Sequence, residues 1–384
     1  MDFSLSEEHE LFRRSVREFA TKEIAPRAQA VDETHEFPWD NIKKMAALGL
    51  MGVPFPEEYG GSGGDTLMYA IAVEEINRAC GSTGITLAAH TSLGTAPFYL
   101  FGTEEQKQKF MRPLASGEKL GAFGLSEAGA GSDASGTQTT AVLDGNEWVI
   151  NGSKNWITSG NIADVLVFTA VTDRSLGARG ISSFIVEKGW PGFHYGKNEK
   201  KMGLRGSVTS QLFFENCRLP KENILGQPND GFKQFMQILD GGRISIGAMA
   251  LGLAQAAFDV ALQYSTERQQ FGHPISDFQA IQFKLADMAT SLEASRLLIY
   301  RSAWLKDQHL PFGKEAAMGK LFASESGERV CHQAIQILGG YGYIEEYNVE
   351  RYYRDIRLTE IGEGTSEIQR LVIARHLLKE LKNK

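Results

Sequence analysis

The chain is poor in everything that would cross-link it or hold a metal. Its 384 residues include three cysteines, Cys80, Cys217 and Cys331, far apart and odd in number. With no Cys-x-x-Cys and no paired spacing they offer neither a zinc cluster nor a disulfide framework, and a reducing compartment fits them. None of the eight histidines falls in a His-Glu-x-x-His or similar metal spacing. Basic charge is also short. Forty Lys and Arg against 47 Asp and Glu leave a net charge of −7, without the basic stripe of a nucleic-acid partner. No apolar run reads as the roughly 18 to 20 residues that cross a bilayer, so no membrane insertion is expected. The opening Met1-Asp2-Phe3-Ser4-Leu5-Ser6-Glu7-Glu8 has neither a signal-peptide core nor an Arg-rich transit pattern. A cytoplasmic location is expected, or a mitochondrial matrix one after removal of a presequence.

What is present is an ordinary globular composition, 42% apolar and 23% charged, at a length that predicts two or three domains. Residues 1–118 read as helices. Leu11, Phe12, Val16, Phe19 and Ala20 form one stripe, Ile42, Met45, Ala46 and Leu48 a second, and Met68, Ile71, Ala72, Ile76 and Ala79 a third. Thr103-Glu104-Glu105-Gln106 has the form of a capping box, opening a short helix that should stop at Pro113. Gly60-Gly61-Ser62-Gly63-Gly64 reads as a flexible connector. Residues 119–228 change to short β-branched and aromatic runs. Within them, Asn151-Gly152 between Trp148-Val149-Ile150 and Lys154-Asn155-Trp156-Ile157-Thr158 predicts a hairpin turn. Residues 229–384 return to long helices, over about 231–263, 277–307, 314–338 and 366–382, a pattern that suggests an antiparallel bundle. The expected class is α+β and multidomain.

Five constellations carry chemistry. Gly124-Leu125-Ser126-Glu127-Ala128-Gly129-Ala130-Gly131-Ser132-Asp133 is a turn rich in glycine and hydroxyls, outside any strand-to-helix unit of a dinucleotide fold. Strand alternation would put Trp156 and Thr158 on one face, with Ile157 opposite, making an aromatic wall beside a hydroxyl. Arg268 to Gln279 lies between two long helices, and Gln336-Ile337-Leu338-Gly339-Gly340 ends one. Last, Ile361-Gly362-Glu363-Gly364-Thr365-Ser366-Glu367 sets a carboxylate between glycines just ahead of a helix that Thr365 or Ser366 would cap. Ile368, Leu371, Val372 and Arg375 share one face of that helix.

In this order and spacing the motifs resemble the acyl-CoA dehydrogenase family along essentially the whole chain. The likeness to its short-chain, butyryl-CoA branch is carried by Tyr352-Tyr353-Arg354-Asp355 and by Glu363 to Ala374. The resemblance implies an N-terminal helical domain, a middle β-barrel and a C-terminal four-helix bundle. It also implies FAD at a dimer interface within a homotetramer, and transfer of electrons to electron-transferring flavoprotein. Glu363 would be the base that takes the α-proton of an acyl-CoA, its amide joining a ribityl hydroxyl of FAD in an oxyanion hole. Trp156, Ile157 and Thr158 would flank and hydrogen-bond the flavin, whose edge Phe123, Leu125 and Ser126 would line. Arg268, Phe271, Gln279, Gln336, Gly339 and Gly340 would hold the diphosphate and adenosine part, with Thr365 and Glu367 against it. Ser132, Asp240, Arg243 and Gly364 would contact the CoA substrate or shape its pocket.

Some relatives place the base instead at the position of Gly242, and this chain has glycine there and keeps Glu363. It departs from the branch at Gly362, where the short- and medium-chain relatives usually carry tyrosine, so short straight, branched and somewhat longer acyl chains are all compatible with it. Two other readings use the same residues: an acyl-CoA or nitroalkane oxidase handing electrons to oxygen, and a noncatalytic CoA-binding scaffold.

Overall fold

The computed structural model describes residues 4–382, which leaves the first three residues of the acidic opening outside it. Helices α1 (Glu7–Phe19), α2 (Ala28–Thr34), α3 (Trp39–Ala47), α4 (Thr66–Ala79), α5 (Gly81–Ala89), α6 (Ala96–Phe101), α7 (Glu104–Gln106) and α8 (Arg112–Ala115) make the N-terminal part. Asp65 caps α4 through the Met68 amide, and Thr103 and Gln106 form the expected reciprocal capping box on α7. That helical run does not stop at Pro113. It passes through a π-helical turn at Lys107–Met111 and reaches Ala115, so the proline lies inside its last turn. The Gly60–Gly64 loop is packed rather than loose. The amides of Ser62, Gly63 and Gly64 donate to Gly52, Phe55 and Val53, and a Cβ on Gly61 would lie 2.1 Å from the Phe55 carbonyl oxygen.

The middle segment supplies β1 (Gly121–Gly124), β2 (Thr140–Asp144), β3 (Glu147–Thr158), β4 (Val165–Val171), β5 (Ile181–Glu187), β6 (Phe193–Asn198), β7 (Thr209–Pro220) and β8 (Ile224–Leu225). They form one open sheet in the order β6-β7-β3-β2-β4-β5-β8, with β1 parallel to β4; among the described residues the end strands β6 and β8 do not pair with each other, so the barrel is not closed. The expected hairpin at Asn151-Gly152 is absent. β3 runs straight through it as a single strand, with Gly152 at φ 147° in a β-bulge against β7. The turn lies earlier, at Gly145-Asn146, where Asp144 pairs with Glu147 and Gly145 takes φ 64°. With glycine at the first of the two turn positions and Asn146 outside the positive-φ region, the turn has the form of a type II′ hairpin connection.

Helices α9 (Gly231–Glu267), α10 (Gln279–Asp307), α11 (Gly313–Leu338), α12 (Val349–Ile356) and α13 (Ser366–Lys382) close the chain, and the predicted long helices fall within a few residues of these bounds. Between α9 and α10, β9 (Gln269–Gln270) and β10 (His273–Pro274) form a small hairpin. Contrary to the sequence expectation, α9 is long and apolar enough to span a membrane by length and composition. It is the central core helix, with 78% of its most apolar window buried against α4, α5, α10 and α11. The N- and C-terminal helices share this one core, from Val16 and Ile76 through Met249 and Leu253 to Val330 and Ile356.

Buried charge ties these helices together. Glu74 of α4, fully buried, accepts from Arg296 at 3.1 Å and from the Tyr300 hydroxyl at 2.6 Å. Arg296 also donates to Gln255 of α9 at 2.9 Å. Removing one partner of a buried pair strands the other charge. Arg296→Met should therefore destabilise the fold by about 3 kcal/mol, read as a lowered thermal midpoint. An unchanged midpoint would mean that the pair contributes nothing.

Candidate active site

One cavity of about 850 Å³ gathers residues from all three segments. Its floor is the turn between α12 and α13. Glu363 takes φ 54° and Gly364 φ 95°, and Thr365 caps α13, its hydroxyl accepting from the Ile368 amide at 3.4 Å. Ile368, Leu371, Val372 and Arg375, the predicted face of α13, line the cavity wall, while the side chains this helix buries are Ser366 and Gln369. The Gln369 amide donates to the Gly364 carbonyl at 2.8 Å, and the Lys320 ammonium donates to the same oxygen at 2.6 Å.

Glu363 is half-buried and borders the cavity. Its Oε2 is sealed from solvent and has no hydrogen-bond partner among the described residues. That oxygen lies on α9 at Gly242, where a Cβ would come within 2.0 Å of it, so a side chain there would displace the carboxylate from this position. Burial raises its pKa to about 7, against the opposing pull of Lys320 and Arg243. An unpaired buried carboxylate that titrates near neutrality is suited to proton transfer.

Beside it, Arg243 is buried and paired with Asp240, whose own acidity burial weakens. Arg243 lines the cavity and Asp240 does not. Ser92 and Leu93 come from a π-helical stretch, His90–Thr95, pinned to the sheet by a neutral His90. Its Nδ1 accepts from the Gly121 amide at 3.1 Å and its Nε2 meets the Leu114 carbonyl at 2.9 Å, and burial lowers its pKa to about 4.

The opposite wall is Phe123, Leu125, Ser126, Ser132, Trp156, Ile157 and Thr158. Simple alternation does not describe it. A second bulge in β3 puts Trp156 at φ 63°, leaving its ring 63% exposed towards the cavity while Ile157 is buried. A bulky residue in this region costs about 1–2 kcal/mol. Glu363 and Leu204, with φ 51°, share the strain, and all three line the cavity; such backbone strain gathers at functional sites.

The turn that carries Ser126 and Ser132 is anchored by two side chains the sequence did not single out for this role. Lys154, wholly buried, donates to Glu127 at 2.7 Å, to the Leu125 carbonyl at 3.2 Å and to Thr169 at 3.1 Å. Glu127 also accepts from the Gln138 and Thr139 amides. Burial pushes the Glu127 carboxyl up, but these donors outweigh it and hold it below its ordinary range, while burial lowers Lys154 to about 8. Glu127 was visible within the Gly-rich motif. A lysine about to be buried leaves no mark in sequence.

The remaining predicted residues divide. Arg268, Gly339 and Gly340 line a separate depression of about 490 Å³, where the Arg268 guanidinium lies 5.6 Å from the Tyr341 ring centre. Gln279, Gln336 and Glu367 are exposed and line neither recess, and Phe271 stands 91% exposed at the tip of the β9–β10 hairpin.

Models of the acyl-CoA dehydrogenase N-terminal, middle and C-terminal domains match residues 6–118, 122–217 and 229–378. The chain belongs to the acyl-CoA dehydrogenase family. It is 59% identical over 380 residues to a probable acyl-CoA dehydrogenase, YngJ, of Bacillus subtilis, covering 99% of this chain and all of that one. It is 51% identical over 379 residues to a short-chain specific acyl-CoA dehydrogenase of Clostridium acetobutylicum, with the same coverage. Butyryl-CoA dehydrogenase from Megasphaera elsdenii superposes with a TM-score of 0.96 at 46% identity, over 98% of this chain and all of that one.

Because burial outweighs the pull of Lys320 and Arg243, Glu363 in this dehydrogenase is favoured in the protonated form on folding. From an ordinary value of 4.5 to about 7, rising pH ionises the unfolded chain but not the folded one, and stability is lost across that window. Glu363→Gln should therefore raise the thermal midpoint more at pH 8 than at pH 5. An equal change at both would mean that the carboxyl is solvated.

Proposed function

We propose that this dehydrogenase converts a short acyl-CoA to the trans-2-enoyl-CoA with FAD as cofactor, Glu363 acting as base. The observation that carries the reading is the Glu363 carboxylate at the cavity, with Oε2 sealed from solvent and without a hydrogen-bond partner among the described residues. A base of ordinary acetate strength is too weak for a proton next to a thioester, and desolvation raises its proton affinity.

The residues present fit FAD. The ring of Trp156 offers a flat apolar wall, with the Thr158 and Ser126 side chains on the same lining, in a volume at the upper end of ordinary ligand sites. Gly339 and Gly340 leave backbone open, with nothing within 4 Å of where a Cβ would stand, and Arg268 lies beside them, suited to a diphosphate. Trp156, Ile157 and Thr158, with Phe123, Leu125 and Ser126, would hold the isoalloxazine. Arg268, Phe271, Gln279, Gln336, Gly339 and Gly340 would hold the adenosine diphosphate end, with Thr365 and Glu367 against it. When bound, FAD supplies the two-electron acceptor for the β-hydride, and the electrons go on to electron-transferring flavoprotein.

The chain's own residues do the rest. Glu363 takes the α-proton at its carboxylate, and its amide donates to the thioester oxygen as charge builds there. Ser132, Arg243 and Gly364 border the thioester and CoA, and Asp240 holds the Arg243 guanidinium in place. The apolar wall of Leu93, Met236, Leu239 and Ile246 keeps water from the reacting carbons. The exposed Phe271, Phe283, Trp304, Leu377 and Leu381 support assembly into a homotetramer that covers them.

At Gly362 a Cβ would make ordinary contact with Leu358 at 3.6 Å and the space beyond is cavity, where the family resemblance leads to tyrosine. The pocket thus accepts chains beyond four carbons.

Glu363→Gln should keep the yellow flavin but slow its anaerobic bleaching by butyryl-CoA by at least about 10³-fold. Near-native bleaching would refute the base. Gly362→Tyr should lower kcat/KM for hexanoyl-CoA about tenfold relative to butyryl-CoA. An unchanged ratio would mean that Gly362 does not set chain length.

A further inference from the structure

Lys320 sits in the middle of α11 and is fully buried, yet among the described residues its ammonium has one hydrogen-bond acceptor, the Gly364 carbonyl at 2.6 Å. A buried ammonium is costly, and a methionine of similar length would fill the same space without that cost. The packing is built to admit it. α9 and α11 approach closely here, the Lys320 Cα lying 3.5 Å from where a Cβ on Gly247 would stand, and Gly319 packs against the backbone of Ile299 on α10. The side chain therefore reaches from the α11 backbone to the turn that carries Glu363.

The charged groups around this pair come from several elements. Arg243 of α9 faces both Lys320 and Glu363 and is itself paired with Asp240. Glu360, before the turn, and Glu367 on α13 act on Lys320 from farther away. From α4 the hydroxyl of Tyr69 is buried against the Ala88 carbonyl, close enough to feel the Glu363 charge. From α10 the neighbour at this level is the apolar Ile299. With Arg243 neutralised by Asp240, Lys320 is the cation left to balance an ionised Glu363, while Gln369 shares with it the task of holding the Gly364 carbonyl.

We propose that Lys320 is a positioning residue for the base: its ammonium holds the peptide after Glu363 and supplies the buried positive charge against which that carboxylate ionises. The inference rests on the reading of Glu363 as base. Burial brings Glu363 up to about 7 and Lys320 down to about 8, and against it each group draws the other towards its charged form.

The test compares Lys320→Gln, which retains a donor for the Gly364 carbonyl without charge, with Lys320→Arg, which keeps the charge. Each variant is made as flavin-loaded enzyme, and flavin bleaching by butyryl-CoA is followed against pH. In Lys320→Gln the rising limb of the bleaching rate should move up by about one pH unit or more, with about a tenfold loss at pH 7 and recovery at higher pH. In Lys320→Arg the limb should stay near the wild-type position. Infrared difference spectra read the same titration without turnover. The carboxylic acid band that disappears in Glu363→Gln should persist to higher pH in Lys320→Gln. A uniform loss in Lys320→Gln with an unmoved limb and an unmoved band would overturn the proposal, leaving Lys320 a structural peg. Wild-type bleaching in Glu363→Gln would instead overturn the base assignment beneath it, and the infrared band would still report whether Lys320 governs that carboxyl.

Discussion

A carboxylate kept dry is the constraint on which the rest of this structure turns. As the proposed base, Glu363 can act on a weakly acidic carbon only if water is withheld from it, and it can remain ionisable there only if a buried cation stands near. The first condition is served by laying Oε2 on Gly242, where a side chain on α9 would displace it. The second draws Lys320 and the Arg243–Asp240 pair inward. These groups stand on three elements, so the site exists only when α9, α11 and the turn before α13 are packed together.

The fold supplies that packing through α9, which is both the centre of the shared helical core and one wall of the cavity. The sheet contributes the facing wall, and it does so through irregularity. The bulge that turns the Trp156 ring out and the buried Lys154–Glu127 pair that fixes the Gly-rich turn both depart from a regular strand. Strain at Trp156, Leu204 and Glu363 is held in place by the packing around them, and it falls where ligand contacts are proposed.

Much of this was legible in the sequence because it has a period or a punctuation mark. The long C-terminal helices, the capping box at Thr103 and the glycine-flanked Glu363 all announce themselves that way. The misreadings have physical causes. Asn151-Gly152 and Gly145-Asn146 both offer a glycine's backbone freedom, and pairing with β7, which lies far along the chain, makes the first a bulge while the second is the turn. α9 carries an apolar window fit for a bilayer, and only its neighbours reveal it as a core helix. Sheet closure depends on the two edge strands meeting, which strand count alone does not determine. Lys320 and Lys154 were invisible because a buried lysine looks like any other until the acceptor it serves is known.

The central claim is that desolvation gives Glu363 a proton affinity suited to its proposed chemistry. The most direct measurement is the rate of flavin reduction in the wild-type enzyme by butyryl-CoA deuterated at the α-carbon, compared with unlabelled substrate across pH 5 to 9. A rate that rises with a midpoint near pH 7 and carries a primary isotope effect is the predicted result. A rate that is flat across this range, as for a solvated carboxylate ionised throughout, would contradict the account.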